Sequence, residues 1–188
     1  MLLALSDFPQ GWIHRPWDQQ AIDDFRSGSA WEHCYEEATL PGETDRAYGG
    51  EYSDENTTRL SINPAVFVFD SGANAERGID SLIGQFECFA QTIGNGLEVD
   101  EQFAFGETSV EALPEEMYDA TSAIRLLNTQ IYKTSEPAET DVLVFDVVYI
   151  LDGRVVSEVT GFQRHMPIDQ GLLSEHVEKA SLKIRQEP

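Results

Sequence analysis

Between Asp141 and Arg164 the chain reads DVLVFDVVYILDGRVVSEVTGFQR, with apolar residues at nearly every position of its first half. Two β-branched and aromatic runs flank Asp152-Gly153, and an Asp-Gly pair is a strong hairpin signal. A turn there predicts Leu151 opposite Arg154, Tyr149 opposite Val156, Val147 opposite Glu158 and Asp146 opposite Val159. A strand apolar on both faces belongs in the middle of a sheet that is covered on both sides. Ser157 and Gly161, small residues on one face, leave room for a helix to approach closely.

The rest of the chain alternates around this hairpin. Arg59–Asp70 predicts a strand, with Pro64 marking an irregularity. Ser71 then caps a helix whose apolar face is Ile79, Leu82, Ile83, Phe86 and Ala90. Leu97–Glu107 alternates as a strand, and Pro114 marks a turn. Tyr118–Tyr132 fits both templates and is read as a strand, because the next segment would otherwise lack a neighbour. Asp169 caps a last helix with Leu173, Val177, Ala180 and Ile184 on one face. Lys179, Lys183 and Arg185 near its end complement the helix dipole. Residues 18–35 predict a short helix or turn, and the polar stretch 41–58 reads as a loop. The fold class is α+β: an antiparallel sheet with a central Asp-Gly hairpin, flanked by two main helices. One globular domain over residues 1–188 suits a chain of 188 residues.

Charge narrows the function. Asp and Glu number 34 against 12 Lys and Arg, a net charge of −22. Such a surface repels phosphate backbones and anionic lipid, which argues against nucleic-acid partners and membrane docking. No apolar run is long enough to span a membrane. MLLALSDFPQGW is interrupted by Asp7 and Pro9 too soon to be a signal peptide. Habitat or genome bias explains the acidity better than an acidic binding site does.

Little in the sequence carries catalytic chemistry. His14, His33, His165 and His176 form no spaced metal pair, and His33 beside Cys34 has only sequence adjacency. Glu43, Asp45, Glu51, Asp54 and Glu55 lack the regular oxygen-ligand spacing of a cation loop. Nucleophile elbow, phosphate loop and dinucleotide fingerprint are all missing, so no catalytic residue, cofactor or metal is assigned. Asn56-Thr57-Thr58 is a glycosylation sequon. Cys34 and Cys88 are an even pair, as compatible with two buried thiols as with one bond. Asp146 interrupts an apolar strand and needs a hydrogen-bond partner if buried. Ten Phe, six Tyr and three Trp exceed what two helices obviously cover. Trp12, Trp17, Trp31, Asp146 and Tyr149 are therefore candidates to line an apolar ligand groove beside the hairpin.

Several pieces together resemble actinobacterial cell-envelope lipoproteins and the extracytoplasmic sensor domain of PknH-type Ser/Thr kinases. They are LLALSDFPQGW near the start, a helix running through Ile79, Leu82 and Phe86 to Cys88, and Tyr118-Asp119 through Arg125 followed by VLVFDVVYILDGRVVSEVTGF and a last helix. The resemblance implies export or lipid anchoring upstream, a Cys34–Cys88 bond, and a sheet flanked by helices similar to PsbP/Mog1-like folds. It brings no catalytic motif. The expected function is a non-catalytic extracytoplasmic domain that binds a small ligand or an envelope protein. The alternative is a small hydrolase or isomerase with a cleft near Asp146.

Overall fold

The structure is a computed structural model that describes residues 1–17, 34, 40–54, 60–93, 103–133 and 139–186. It is an α+β fold of eight antiparallel strands and two helices. The strands are β1 (Trp12–Arg15), β2 (Glu43–Tyr48), β3 (Glu51–Asp54), β4 (Leu60–Phe69), β5 (Phe103–Ala112), β6 (Ser122–Tyr132), β7 (Glu139–Asp152) and β8 (Val155–Arg164). The helices are α1 (Gly72–Ile93) and α2 (Gln170–Gln186). Along the sheet the order is β1-β3-β4-β8-β7-β6-β5, with β2 also paired to β4.

The β7–β8 hairpin is central, as its two-sided apolar pattern requires. Its register differs from the expected one. Asp152 pairs with Val155, so Gly153 and Arg154 are the turn residues. Gly153 has φ +60°, while Arg154 is not among the residues with positive φ. Glycine at the first turn position alone is the type II′ pattern, whereas type I′ needs positive φ at both. Moving the turn by one residue shifts every pair by two. Tyr149 therefore meets Glu158, Val147 meets Thr160 and Asp146 meets Gly161. An even shift leaves each side chain on its expected face.

Each face buries a separate core. On one, Ala75, Ile79 and Leu82 of α1 cover Phe67, Phe69, Val147, Tyr149 and Val156. On the other, Leu173, Val177, Ala180 and Ile184 of α2 cover Ile62, Val148, Ile150 and Val159, joined by Leu3, Phe8 and Tyr52. Gly161 permits the close approach on the α2 side: a Cβ there would sit 2.9 Å from Ile168 and 3.2 Å from Leu173. Both helices start where the sequence places their caps. The Ser71 hydroxyl accepts from the Asn74 amide at 3.3 Å, and the Asp169 carboxylate from the Leu172 amide at 2.8 Å. Lys179 and Lys183, expected to serve the helix dipole, instead reach the N-terminal segment. Lys183 donates to the Asp7 carboxylate at 2.6 Å and to the Leu2 carbonyl at 3.2 Å, and Lys179 donates to the Asp7 carbonyl.

The stretch 41–58 is a correction: residues 43–48 and 51–54 are strands, not loop. Both run along one edge of β4, interrupted at Gly49-Gly50 opposite Pro64. Proline has no amide to offer a neighbouring strand, so the ladder must break there. The Gly49 amide donates to the Pro64 carbonyl at 2.8 Å, and a Cβ on Gly49 would lie 2.6 Å from the proline ring. Polar composition misled because an edge strand keeps its outer face wet. β1 was unforeseen as well; it pairs with β3. Tyr118–Tyr132 is strand from Ser122 onward, as expected, and β5 runs later than expected, to Ala112. Its register against β6 breaks between Phe105 and Thr108. Residues 18–33, the sequon and Glu55 lie outside the described residues.

Candidate functional site

The two faces of the sheet are closed to different degrees. Along the α1 side a groove of about 290 Å³ opens between the helix and the strands. Its roof is Leu82, Gln85, Phe86 and Phe89 of α1. The floor crosses five strands: Asn63, Ala65 and Phe67 on β4, Glu158 and Thr160 on β8, Leu143 and Phe145 on β7, Leu126 and Asn128 on β6, Phe105 on β5. These floor positions alternate along their strands, so the period of two that buries one face also builds the lining. Trp17, Leu40, Arg46 and Tyr48 close one flank. Phe89 and Phe105 meet edge to face with ring centroids 6.1 Å apart. A mostly apolar cleft with a few polar groups is the usual form of a small-molecule site.

The polar groups have distinct roles. Nε and Nη2 of Arg46 both donate to the Glu43 carboxylate, whose side chain is only 2% exposed, and the guanidinium lies 5.8 Å from the Phe67 ring centre. That cation is thus already neutralised. Glu158 has no such partner among the described residues. Its carboxylate accepts from the Thr160 hydroxyl at 3.2 Å, and Tyr149 stands opposite it on β7. Burial pushes its pKa up to about 7, against the opposing pull of the nearby hydroxyls. Glu158 is half-buried rather than sealed, because its carboxyl meets the groove. Asn63 Oδ1 and Gln85 Oε1 are buried with no hydrogen-bond partner.

Of the residues singled out from the sequence, Trp17 lines the groove, its ring 6.2 Å from that of Tyr48. Tyr149 is fully buried beneath α1, opposite Glu158 in the β7–β8 ladder and outside the lining. Trp12 lies on the α2 side, stacked 5.1 Å from Phe8 and 6.1 Å from His176. Trp31 is outside the described residues. Asp146 also faces α2, fully buried. Arg125 Nε donates to its Oδ1 at 2.6 Å and Nη2 to its Oδ2 at 2.8 Å, while the Tyr118 hydroxyl donates to Oδ2 at 2.9 Å. That fork explains the acid in an apolar strand: Arg125 stands directly opposite it on β6. Burial and the neighbouring carboxylate raise the Tyr118 pKa well above its ordinary value.

Sequence reasoning missed Glu158, Asn63, Gln85 and Arg46. Glu158 is the acid within VVSEVTGF, and its place on the α1 face was readable from alternation. The many other carboxylates hid it. Cys34 and Cys88 are bonded, with Cα atoms 5.7 Å apart, fixing the last turns of α1 to the N-terminal half of the chain. Among the described residues no group of three His, Cys, Asp or Glu could hold a metal, and no helix is long and apolar enough to cross a membrane.

No family model and no curated relative matches the chain. Among solved structures, the extracellular domain of PknH from Mycobacterium tuberculosis is similar, at 15% identity and a TM-score of 0.47. The match covers 86% of this chain and 75% of that one. Likeness at that level carries no function, so the reading rests on the groove.

Proposed function

We propose that residues 1–188 form a single extracytoplasmic domain, exported or lipid-anchored at the cell envelope, that binds a small, largely apolar ligand without chemical turnover. The observation that carries the reading is the aromatic-lined groove between α1 and the central hairpin. Its volume sits at the small end of the roughly 300–1,000 Å³ usual for ligand pockets. The Cys34–Cys88 bond supports an oxidising compartment, since structural disulfides persist mainly outside the cytosol. An envelope protein as partner is the neighbouring possibility. A screen by Trp fluorescence and thermal shift against lipids, peptidoglycan fragments and sugars tests the proposal, because Trp17 stands at the groove's flank. Saturable binding that disappears when Phe86 is replaced by Trp to fill the groove is the expected result.

A catalytic reading, as a small hydrolase or isomerase, draws on one observation. Glu158 titrates near neutrality inside a cleft, the condition for a general acid or base. Asp146 no longer supports that reading, because its carboxylate is engaged by Arg125 and Tyr118 on the other face. Turnover of an ester, phosphoester, peptide or glycoside that is lost in Glu158→Gln would establish an enzyme and sink the binding-only proposal.

A further inference from the structure

Three residues lining the groove carry acceptor atoms whose capacity the protein leaves unmet. Glu158 carries a carboxyl with no cation against it among the described residues. Asn63 Oδ1 and Gln85 Oε1 are shut away from water and unpartnered. The one cation among the described lining residues, Arg46, is held by Glu43. A buried acceptor without a donor costs free energy that a ligand's donor recovers. Around these atoms the lining is phenyl rings and aliphatic side chains. An occupant matching both features has an apolar body and a hydrogen-bond-donating head.

We infer, building on the binding function proposed above, that the groove takes a compact cationic amphiphile: one short alkyl or aromatic body among Phe86, Phe89 and Phe105, with a primary ammonium group against Glu158. A neutral hydroxyl head satisfies the amides but leaves the carboxylate without a counter-charge, and an anionic head is repelled by it. The charge of the whole chain, −22, steers cations towards the surface without choosing a site. Glu158 supplies the choice.

The pH dependence follows from the groups around the carboxyl. Among the described residues lining the groove, Arg46, Tyr48 and Glu158 are the titratable or charged members; Tyr149 of β7 stands opposite Glu158, and α1, β4 and β6 contribute the neutral amides Gln85, Asn63, Asn128 and Gln130. Arg46 stays charged between pH 6 and 8. An alkylammonium also stays charged there, as a lysine side chain does. Glu158 changes its charge across that range, and it must be ionised to pair with the head.

The test measures affinities of octylamine, octanol and octanoate for the intact, oxidised protein by calorimetry at pH 6 and pH 8, with Glu158→Gln alongside. Octylamine should bind about tenfold or more tightly than octanol at pH 8, the worth of a charge-assisted hydrogen bond. Its affinity should rise several-fold from pH 6 to pH 8 while that of octanol stays flat. In Glu158→Gln the preference for amine over alcohol should vanish with octanol binding retained. That variant removes one charge of many, so loss of preference cannot come from the overall field. Should it fail to fold, the wild-type pH dependence and the amine-to-alcohol ratio still decide. Equal affinity for amine and alcohol, or tightest binding of octanoate, overturns the ammonium assignment and leaves the groove. Failure of all three to bind overturns the groove itself as a ligand site, and the assignment with it.

Discussion

Each face of this sheet buries a carboxyl group, and the two are treated in opposite ways. Asp146, under α2, receives three hydrogen bonds from Arg125 and Tyr118. Glu158, under α1, receives one from the neutral Thr160 hydroxyl and meets no cation among the described residues. The surrounding packing differs in the same sense. On the α2 side Gly161 lets Ile168 and Leu173 come down onto the sheet, and the N-terminal segment closes the edge with Phe8, Trp12 and the lysine contacts to Asp7. On the α1 side large side chains, Phe67, Phe86, Phe89, Phe105 and Phe145, prop helix and strands apart and leave a groove. A satisfied charge inside a closed layer is scaffold. An unsatisfied one inside an open layer waits for something else.

The largest expected effect tests how the open side is held. Reducing Cys34–Cys88 should lower unfolding free energy by about 4 kcal/mol, given the 54-residue separation it closes. Urea melts with and without reductant would measure it, and thiol titration of the denatured, unreduced protein should find no free thiol. A negligible loss would mean the α1 side holds itself together by packing alone.

Next is the closed side's ion pair. Arg125→Met strands a buried carboxylate and should cost about 3 kcal/mol, the low end for a broken buried pair because Arg125 is itself partly exposed. Adding Asp146→Asn should recover part of the loss. A cost below about 1 kcal/mol would remove the contrast between the two carboxyls.

Gly161→Val should cost about 2 kcal/mol by overpacking against Ile168 and Leu173. Ligand affinity in the groove should be unchanged, since Gly161 faces the other way. If binding fell together with stability, the two layers would not be independent.

The smallest effect concerns Glu158. Its ordinary pKa is 4.5, and in the folded protein it stands near 7. Between those values the native state holds more protons than the unfolded chain, so stability falls as pH rises. The group's contribution is complete below about 4.5 and gone above about 7. Glu158→Gln should flatten this slope, by about 1 kcal/mol once groove water is allowed for. Equal pH dependence in the two proteins would show that Glu158 titrates as an ordinary surface acid.

Much of the architecture was legible from periodicity. The caps at Ser71 and Asp169, the two helical stripes, and a strand apolar on both faces are local signals, and each survived into the fold. The hairpin register slipped because Asp-Gly and Gly-Arg are competing turns one residue apart, and only the whole ladder chooses between them. β2 and β3 escaped because edge strands read as polar. An apolar groove beside the hairpin was the expectation; of the described candidate residues, Trp17 is the one in the lining. A groove is made by side chains from seven helices and strands and from Trp17 and Leu40 besides, and no local pattern reports which of them converge. The role of Arg125 was invisible for the same reason: its partner stands 21 positions later in the chain and is found only by strand pairing.

The break in register on β5 bears on the behaviour of many molecules rather than one. β5 ends the sheet, and its outward amides and carbonyls would template a strand from a second chain if they formed an unbroken row. Between Phe105 and Thr108 the row is out of step. A bulge adds local twist and leaves a residue unpaired, so a straight incoming strand finds matching partners over only a few residues on either side. Pairing with a second chain along β5 is thereby limited to short stretches on either side of the break.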